Sequence, residues 1–139
     1  MKISARNQFV GKVTDVKEGA VNAIVVVEIA GGNKVSSTIS LNAVKDLGIK
    51  VGSTATAVIK STSVMLASST LKISARNQLT GKVVEVKEGA VNNIVIVEIA
   101  GGNKVSSTIS VSAVKDLGIA VGSEVTAIVK STSVMLATE

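Results

Sequence analysis

The chain has no cysteine and no histidine, and Phe9 is its one aromatic residue. Without cysteine there is no disulfide, and without either residue no zinc pattern can staple a small fold. The core must therefore be built from Val, Ile, Leu, Ala and Met. The same two absences remove the commonest general base and the commonest thiolate nucleophile. No carboxylate pair repeats at a spacing suited to acid/base work. Glu18 and Glu28 recur as Glu88 and Glu98, but in a turn and near a hairpin, where solvation accounts for them. An enzyme is not expected. Nor is a pH switch of the usual kind, since no side chain has an ordinary pKa in the physiological range. The longest apolar runs, such as Ile24 to Val27, are far too short to span a bilayer. Met1-Lys2-Ile3 runs straight into Ser4-Ala5-Arg6-Asn7 with no signal-like stretch between. These features lead to the expectation of a cytoplasmic protein with no membrane partner.

What the chain does contain is a repeat. Offset by 70, residues 2–67 and 72–137 differ at 13 of 66 positions, leaving 53 identities, far beyond chance. The expected organisation is a first domain at 1–67, a short polar linker at 68–71 and a second domain at 72–139. A unit of about 65 residues buries only ~60% of its unfolded surface, so the units are expected to gain stability from each other and from other chains. Fifteen basic and ten acidic residues leave a net charge of +5. That excess suits an anionic partner without naming it.

Within a unit the pattern is mostly β. Residues 8–17 alternate as a half-buried strand, with Gly11 expected at a bulge or sharp bend. Val21 to Ile29 is a β-branched run that reads as a central strand. Ala30-Gly31-Gly32-Asn33 is a hairpin signal, because Gly and Asn tolerate positive φ, and Lys34 to Ile39 returns. Ser40 is a good N-cap and Gly48 a good terminator for a short helix, Leu41 to Leu47, with Leu41, Val44 and Leu47 on one face. Thr54 to Lys60 and Thr62 to Ala67 read as the last two strands, nearly continuous through Lys60-Ser61. The order β-β-β-α-β-β points to a five-stranded Greek-key barrel of the OB type, so the fold class expected is mainly β, two such barrels in tandem, each with one short α-helix. The second unit repeats the first, including Gly101-Gly102-Asn103 and a helix Val111 to Leu117 between Ser110 and Gly118.

The polar segments do not change between copies. Ile3-Ser4-Ala5-Arg6-Asn7-Gln8 returns as Ile73-Ser74-Ala75-Arg76-Asn77-Gln78 and places a hydroxyl, a guanidinium and a carboxamide within four residues. A tetrahedral dianion needs converging N–H and O–H donors, one or two cations and no nearby carboxylate. Turn amides supply such donors, Arg a rigid fork and Lys a point charge. Candidate donors are Ser4, Arg6, Asn7, the amides of Gly19-Ala20-Val21-Asn22, and Lys60-Ser61. Each also has an ordinary structural reading as a turn cap, a surface cation or a solvated bend. Gly31-Gly32-Asn33-Lys34 is not a phosphate loop, since the Ser/Thr after Lys is missing and a strand follows. Single-stranded nucleic acid, which barrels of this type stack on aromatic platforms, is not an expected partner when Phe9 stands alone.

Together, Ile3 to Gln8, Lys17-Glu18-Gly19-Ala20-Val21-Asn22 and Ile59-Lys60-Ser61-Thr62-Ser63-Val64, each present twice and in order, resemble the molybdate-binding Mop, or molbindin, family in its tandem form. The resemblance covers nearly the whole chain. It implies OB-like barrels that bind molybdate or tungstate in the cytoplasm for storage or homeostasis, without an organic cofactor and without direct ligation of the metal by protein. It also implies a homotrimer that mimics a hexamer of single units, with the oxyanions between subunits. Carried over, Ser4, Ala5, Arg6, Lys60 and Ser61 would form one class of site, repeated by Ser74, Ala75, Arg76, Lys130 and Ser131, with Asn7 and Asn77 beside them as candidate donors. The turn Gly19, Ala20, Val21, Asn22 and its copy Gly89, Ala90, Val91, Asn92 would join those sites or form a second class near the threefold axis. Neither a helix-turn-helix nor an ATP-binding domain precedes the units, so a stand-alone binding protein is expected. After the second motif, Ile24 and Ile94 stand where the family commonly has an acidic residue. The alternatives are a structural or designed barrel assembly without a physiological ligand, and an OB-type nucleic-acid binder.

Overall fold

The computed structural model describes residues 2–68 and 71–139. Ser69 and Thr70, in the expected linker, lie outside the described residues.

The first strand, β1 (Asn7–Glu18), turns into β2 (Asn22–Ile29), which a 3-10 turn at Ala30–Gly32 joins to β3 (Lys34–Ser40). Helix α1 (Leu41–Leu47) leads to β4 (Thr54–Ile59), a second 3-10 turn at Ser61–Ser63, and β5 (Met65–Ala67). The second half follows as β6 (Asn77–Lys87), β7 (Asn92–Ile99), β8 (Lys104–Ser110), α2 (Val111–Leu117), β9 (Glu124–Val129) and β10 (Met135–Ala137). The local signals behave as their chemistry requires. Ser40 Oγ accepts the Ala43 amide and Ser110 Oγ that of Ala113, each 3.0 Å away, which satisfies one orphan N–H of each helix. Gly48 and Gly118 close the helices in the left-handed region at φ 65° and 63°.

Both sheets are five-stranded and antiparallel, in the orders β10-β4-β1-β2-β3 and β5-β9-β6-β7-β8. This corrects one expectation: residues 62–67 do not finish the first unit's sheet. The 3-10 turn, closed by Ser63 N–H to Lys60 O at 2.9 Å and Val64 N–H to Ser61 O at 3.3 Å, breaks the run and redirects the chain. As a result β5 adds to β9 of the second half (Met65 opposite Ile128), and β10 adds to β4 of the first (Met135 opposite Val58). The halves exchange their last strands.

A second correction concerns Gly11. It stays in register with Ile29 on one side and Ala55 on the other, and the bulge falls two residues later, where Val13 pairs with Val27 but Asp15 with Val26, leaving Thr14 extra. Gly11 is required for proximity: a Cβ there would strike the Glu28 carbonyl oxygen and the Val27 side chain. The core is aliphatic, with Val13, Val25, Val27, Val35 and Ile59 inside the first barrel, Val83, Val95, Val97, Val105 and Val129 inside the second, and Phe9 answered by Leu79. Each such side chain, fully buried, contributes roughly 1.5–3 kcal/mol.

Candidate functional site

The last pair of the β1–β4 ladder is Asn7 opposite Ile59. Arg6 and Lys60 therefore emerge side by side at one end of the first sheet, both exposed. In the second half Asn77 opposite Val129 does the same for Arg76 and Lys130. Residues 2–8 and 58–66 contain no carboxylate.

The approach to β1 is shaped by a residue outside the expected donor set. Gln8 Nε2 donates to the carbonyls of Ile3 (3.1 Å) and Ala5 (2.9 Å). Among the described residues every peptide bond is trans, and a trans peptide points its N–H opposite to its C=O. The N–H groups of Ser4 and Arg6 are thus both turned away from Gln8. Gln78 repeats the device on Ile73 and Ala75 at 3.3 and 3.1 Å. The sequence signal was present, since Gln8 closes the invariant hexapeptide, but its job depends on a bend that only the structure shows.

Asn7 and Asn77 are not free donors. Both are buried, and each carboxamide is committed to the backbone of the other half. Asn7 Nδ2 donates to Ser106 O at 2.9 Å while its Oδ1 accepts the Ser106 N–H at 2.7 Å, and Asn77 does the same to Ser36 at the same distances. The side chain acts as a one-residue strand on an otherwise open edge of β8 or β3.

Lys60-Ser61 also meets the other half. Ser61 Oγ lies 2.7 Å from Thr108 Oγ1, and Thr38 Oγ1 lies 2.7 Å from Ser131 Oγ. Nearby, Ser37 Oγ donates to Val134 O and Ser107 Oγ to Val64 O, at 2.5 and 2.7 Å. In each hydroxyl pair one proton is used and one remains to donate outward.

Residues Gly19 to Asn22 sit at the far end of β1, beyond Glu18, so they do not meet Ser4, Arg6 or Lys60 of their own half. The turn of the opposite half comes nearer. Asn92 pairs with Ser110, two residues or about 7 Å along β8 from the Thr108 that receives Ser61. Gly19, Ala20, Val21 and Asn22, with Gly89, Ala90, Val91 and Asn92, are all exposed. The Gly19 amide is already used, donating to Asn22 O at 2.8 Å. The amides left to a ligand are those of Ala20, Val21 and Asn22. Ser4 and Ser74 are exposed, Ala5 and Ala75 half-buried. Each arrangement offers N–H and O–H donors with two cations, a set suited to holding an oxyanion. Among the described residues no cluster of Asp or Glu could hold a bare metal ion, and none of the helices is long and apolar enough to cross a membrane.

A family model described as the TOBE domain matches residues 3–66 and again 73–136. Over 138 residues the chain is 39% identical to the molybdenum transport protein ModE of Azotobacter vinelandii, covering 99% of this chain and 51% of that protein. The chain spans about half the length of such curated relatives. Over 66 residues it is 64% identical to molybdenum-pterin-binding protein 3 of Clostridium pasteurianum, covering 48% of this chain and 97% of that one. Among solved structures, the cytoplasmic molybdate-binding protein ModG, with molybdate bound, superposes with a TM-score of 0.97 at 38% identity, each chain covered in full.

Proposed function

This chain belongs to the TOBE-domain family, with two such domains in tandem as in the molbindins, and on that premise we propose that it binds molybdate or tungstate as the intact oxyanion and catalyses no reaction. The observation that carries the reading is that Arg6 and Lys60, and Arg76 and Lys130, flank the last rungs of their ladders, in segments that contain no carboxylate. Ser4 and Arg6 amides turned outward by Gln8, and the Ser61–Thr108 hydroxyl pair, supply neutral donors beside the charge. Such hydrogen bonds to an anion are about twice as strong as neutral ones.

The finer reading is a homotrimer in the cytoplasm that stores molybdate at contacts between subunits, with Ser4, Ala5, Arg6, Lys60 and Ser61 in one class of site and the 19–22 and 89–92 turns in or beside them. Exposed Val21, Val51, Val91 and Val121 are available to such contacts. The domains acting in it are 1–67 and 72–139 as units of sequence, interleaved by strand exchange. Titration calorimetry with molybdate in sulfate-containing buffer, on protein of mass fixed by light scattering, tests this. Selective heat with several sites per trimer is expected. A folded assembly that gives no heat would leave a barrel without this ligand.

A further inference from the structure

The six residues from Lys17 to Asn22 are identical to those from Lys87 to Asn92, but the residue after each differs, Ala23 in the first half and Asn93 in the second. That one difference rebuilds the turn. In the first half the β1–β2 ladder runs to Glu18 opposite Ala23, and the Gly19 amide donates to Asn22 O. In the second half the ladder stops one rung earlier, at Lys87 opposite Ile94, and the Gly89 amide donates to the Asn93 side chain, Oδ1, at 3.1 Å. The backbone follows: a Cβ on Gly89 would lie against Asn92 O, whereas at Gly19 it would stand 3.1 Å away.

Asn93 is only 4% exposed. With Oδ1 fixed on the Gly89 amide, its Nδ2 is left without an acceptor among the described residues. Every buried side-chain nitrogen and oxygen among those residues has a partner, so Nδ2 is not sealed inside. A side chain nine-tenths buried thus brings an unpaired N–H pair to the surface beside the exposed amides of Ala90 to Asn92.

We infer that the two turns are inequivalent oxyanion sites, and that Asn93 is the residue that makes the second-half turn the tighter one. Its carboxamide acts at both ends. The oxygen takes the Gly89 amide, which in the first half the Asn22 carbonyl takes from Gly19. The nitrogen adds a donor that Ala23 cannot provide, and one hydrogen bond to a charged group is worth roughly tenfold in affinity. This rests on the oxyanion reading proposed above and adds to it a difference between halves.

The test is an amide-resolved NMR titration of the full chain with sodium molybdate in sulfate buffer. The signals of residues 90–92 and the Asn93 side-chain NH2 should shift at roughly tenfold lower molybdate than those of residues 20–22. N93A should raise the second-half midpoint to that of the first, and A23N should lower the first-half midpoint. Both substitutions place a residue that the equivalent position already accommodates. N93D keeps an oxygen for the Gly89 amide but replaces the donor with an anion, and should abolish the response of 90–92. Equal midpoints in the unaltered chain, or a difference that survives N93A, would overturn the inference. Shifts confined to residues 4–6 and 60–61 would overturn it while leaving the oxyanion reading intact, and no shift anywhere would remove both.

Discussion

Arg6 and Lys60 are 54 positions apart in sequence, and one rung of an antiparallel ladder makes them neighbours. Their joint charge is the largest electrostatic feature of the proposed site, because Arg brings a fork of donors and Lys a mobile point charge. Replacing Arg6 and Arg76 by Ala should weaken molybdate binding by tenfold or more per site, at about 1.5–3 kcal/mol for a charged hydrogen bond, read by calorimetry; unchanged affinity would remove their assigned role. Asn7 makes the opposite prediction. Asn7→Leu leaves the Ser106 N–H and C=O without partners at a part-buried edge, at a cost of up to about 1–3 kcal/mol for each group. Urea unfolding should register that loss.

At the scale of elements, the hairpins at Ala30–Gly32 and Ala100–Gly102 meet each other as well as turning the chain. Gly31 and Gly32 have φ of 87° and 88°, so backbone strain alone would penalise a side chain at either. They differ in surroundings. A Cβ on Gly31 would run into the Ala100 carbonyl and the Gly101 amide, and one on Gly101 into the Ala30 carbonyl and the Gly31 amide, whereas Gly32 faces open space. Gly32→Ala should therefore cost about 1–3 kcal/mol of strain, and Gly31→Ala clearly more, since the seam must open. Comparable denaturant midpoints for the two variants would contradict a backbone-to-backbone seam. Strand exchange gives a second test. Removing residues 135–139 takes β10 from β4, so hydrogen-exchange protection should fall at 54–59 in the first half and persist at 124–129, far closer in sequence to the deletion.

For the whole molecule, the exchange ties the halves into one cooperative body. Each barrel lacks a strand until the other half supplies it, and Asn7, Asn77, Ser61 and Ser131 add hydrogen bonds across the same seam. Thermal unfolding followed by calorimetry should show a single transition for both halves; two separated transitions would mean that each barrel holds together alone. The same seam sets the donor geometry, since Ser61 rests on Thr108 and the Asn92 turn lies two residues further along that strand. A substitution that loosens the seam is expected to lower stability and oxyanion affinity together.

The sequence by itself determined what depends on neighbours along the chain. Ser40 and Gly48 bounded α1 to the residue, and Gly31-Gly32 marked the hairpin, because a cap or a positive φ is a local requirement. Alternation of Val and Ile located the strands, and the doubled donor segments pointed to an oxyanion. Tertiary structure decided what local pattern leaves degenerate. Met65-Leu66-Ala67 and Met135-Leu136-Ala137 are the same tripeptide, and β4 and β9 offer nearly the same partner edge, so no pattern says which sheet each strand joins. The 3-10 turns at Ser61–Ser63 and Ser131–Ser133 settle it, held where the chain crosses by Thr108 on Ser61 and Thr38 on Ser131. The bulge falls at Thr14 instead of Gly11 because glycine was needed there for the approach of β2, a demand made by a strand some 17 residues away. Gln8, Asn7 and Asn93 took their roles for the same reason. An amide side chain reads as a generic donor in sequence, and only the fold says which carbonyl or amide stands in front of it.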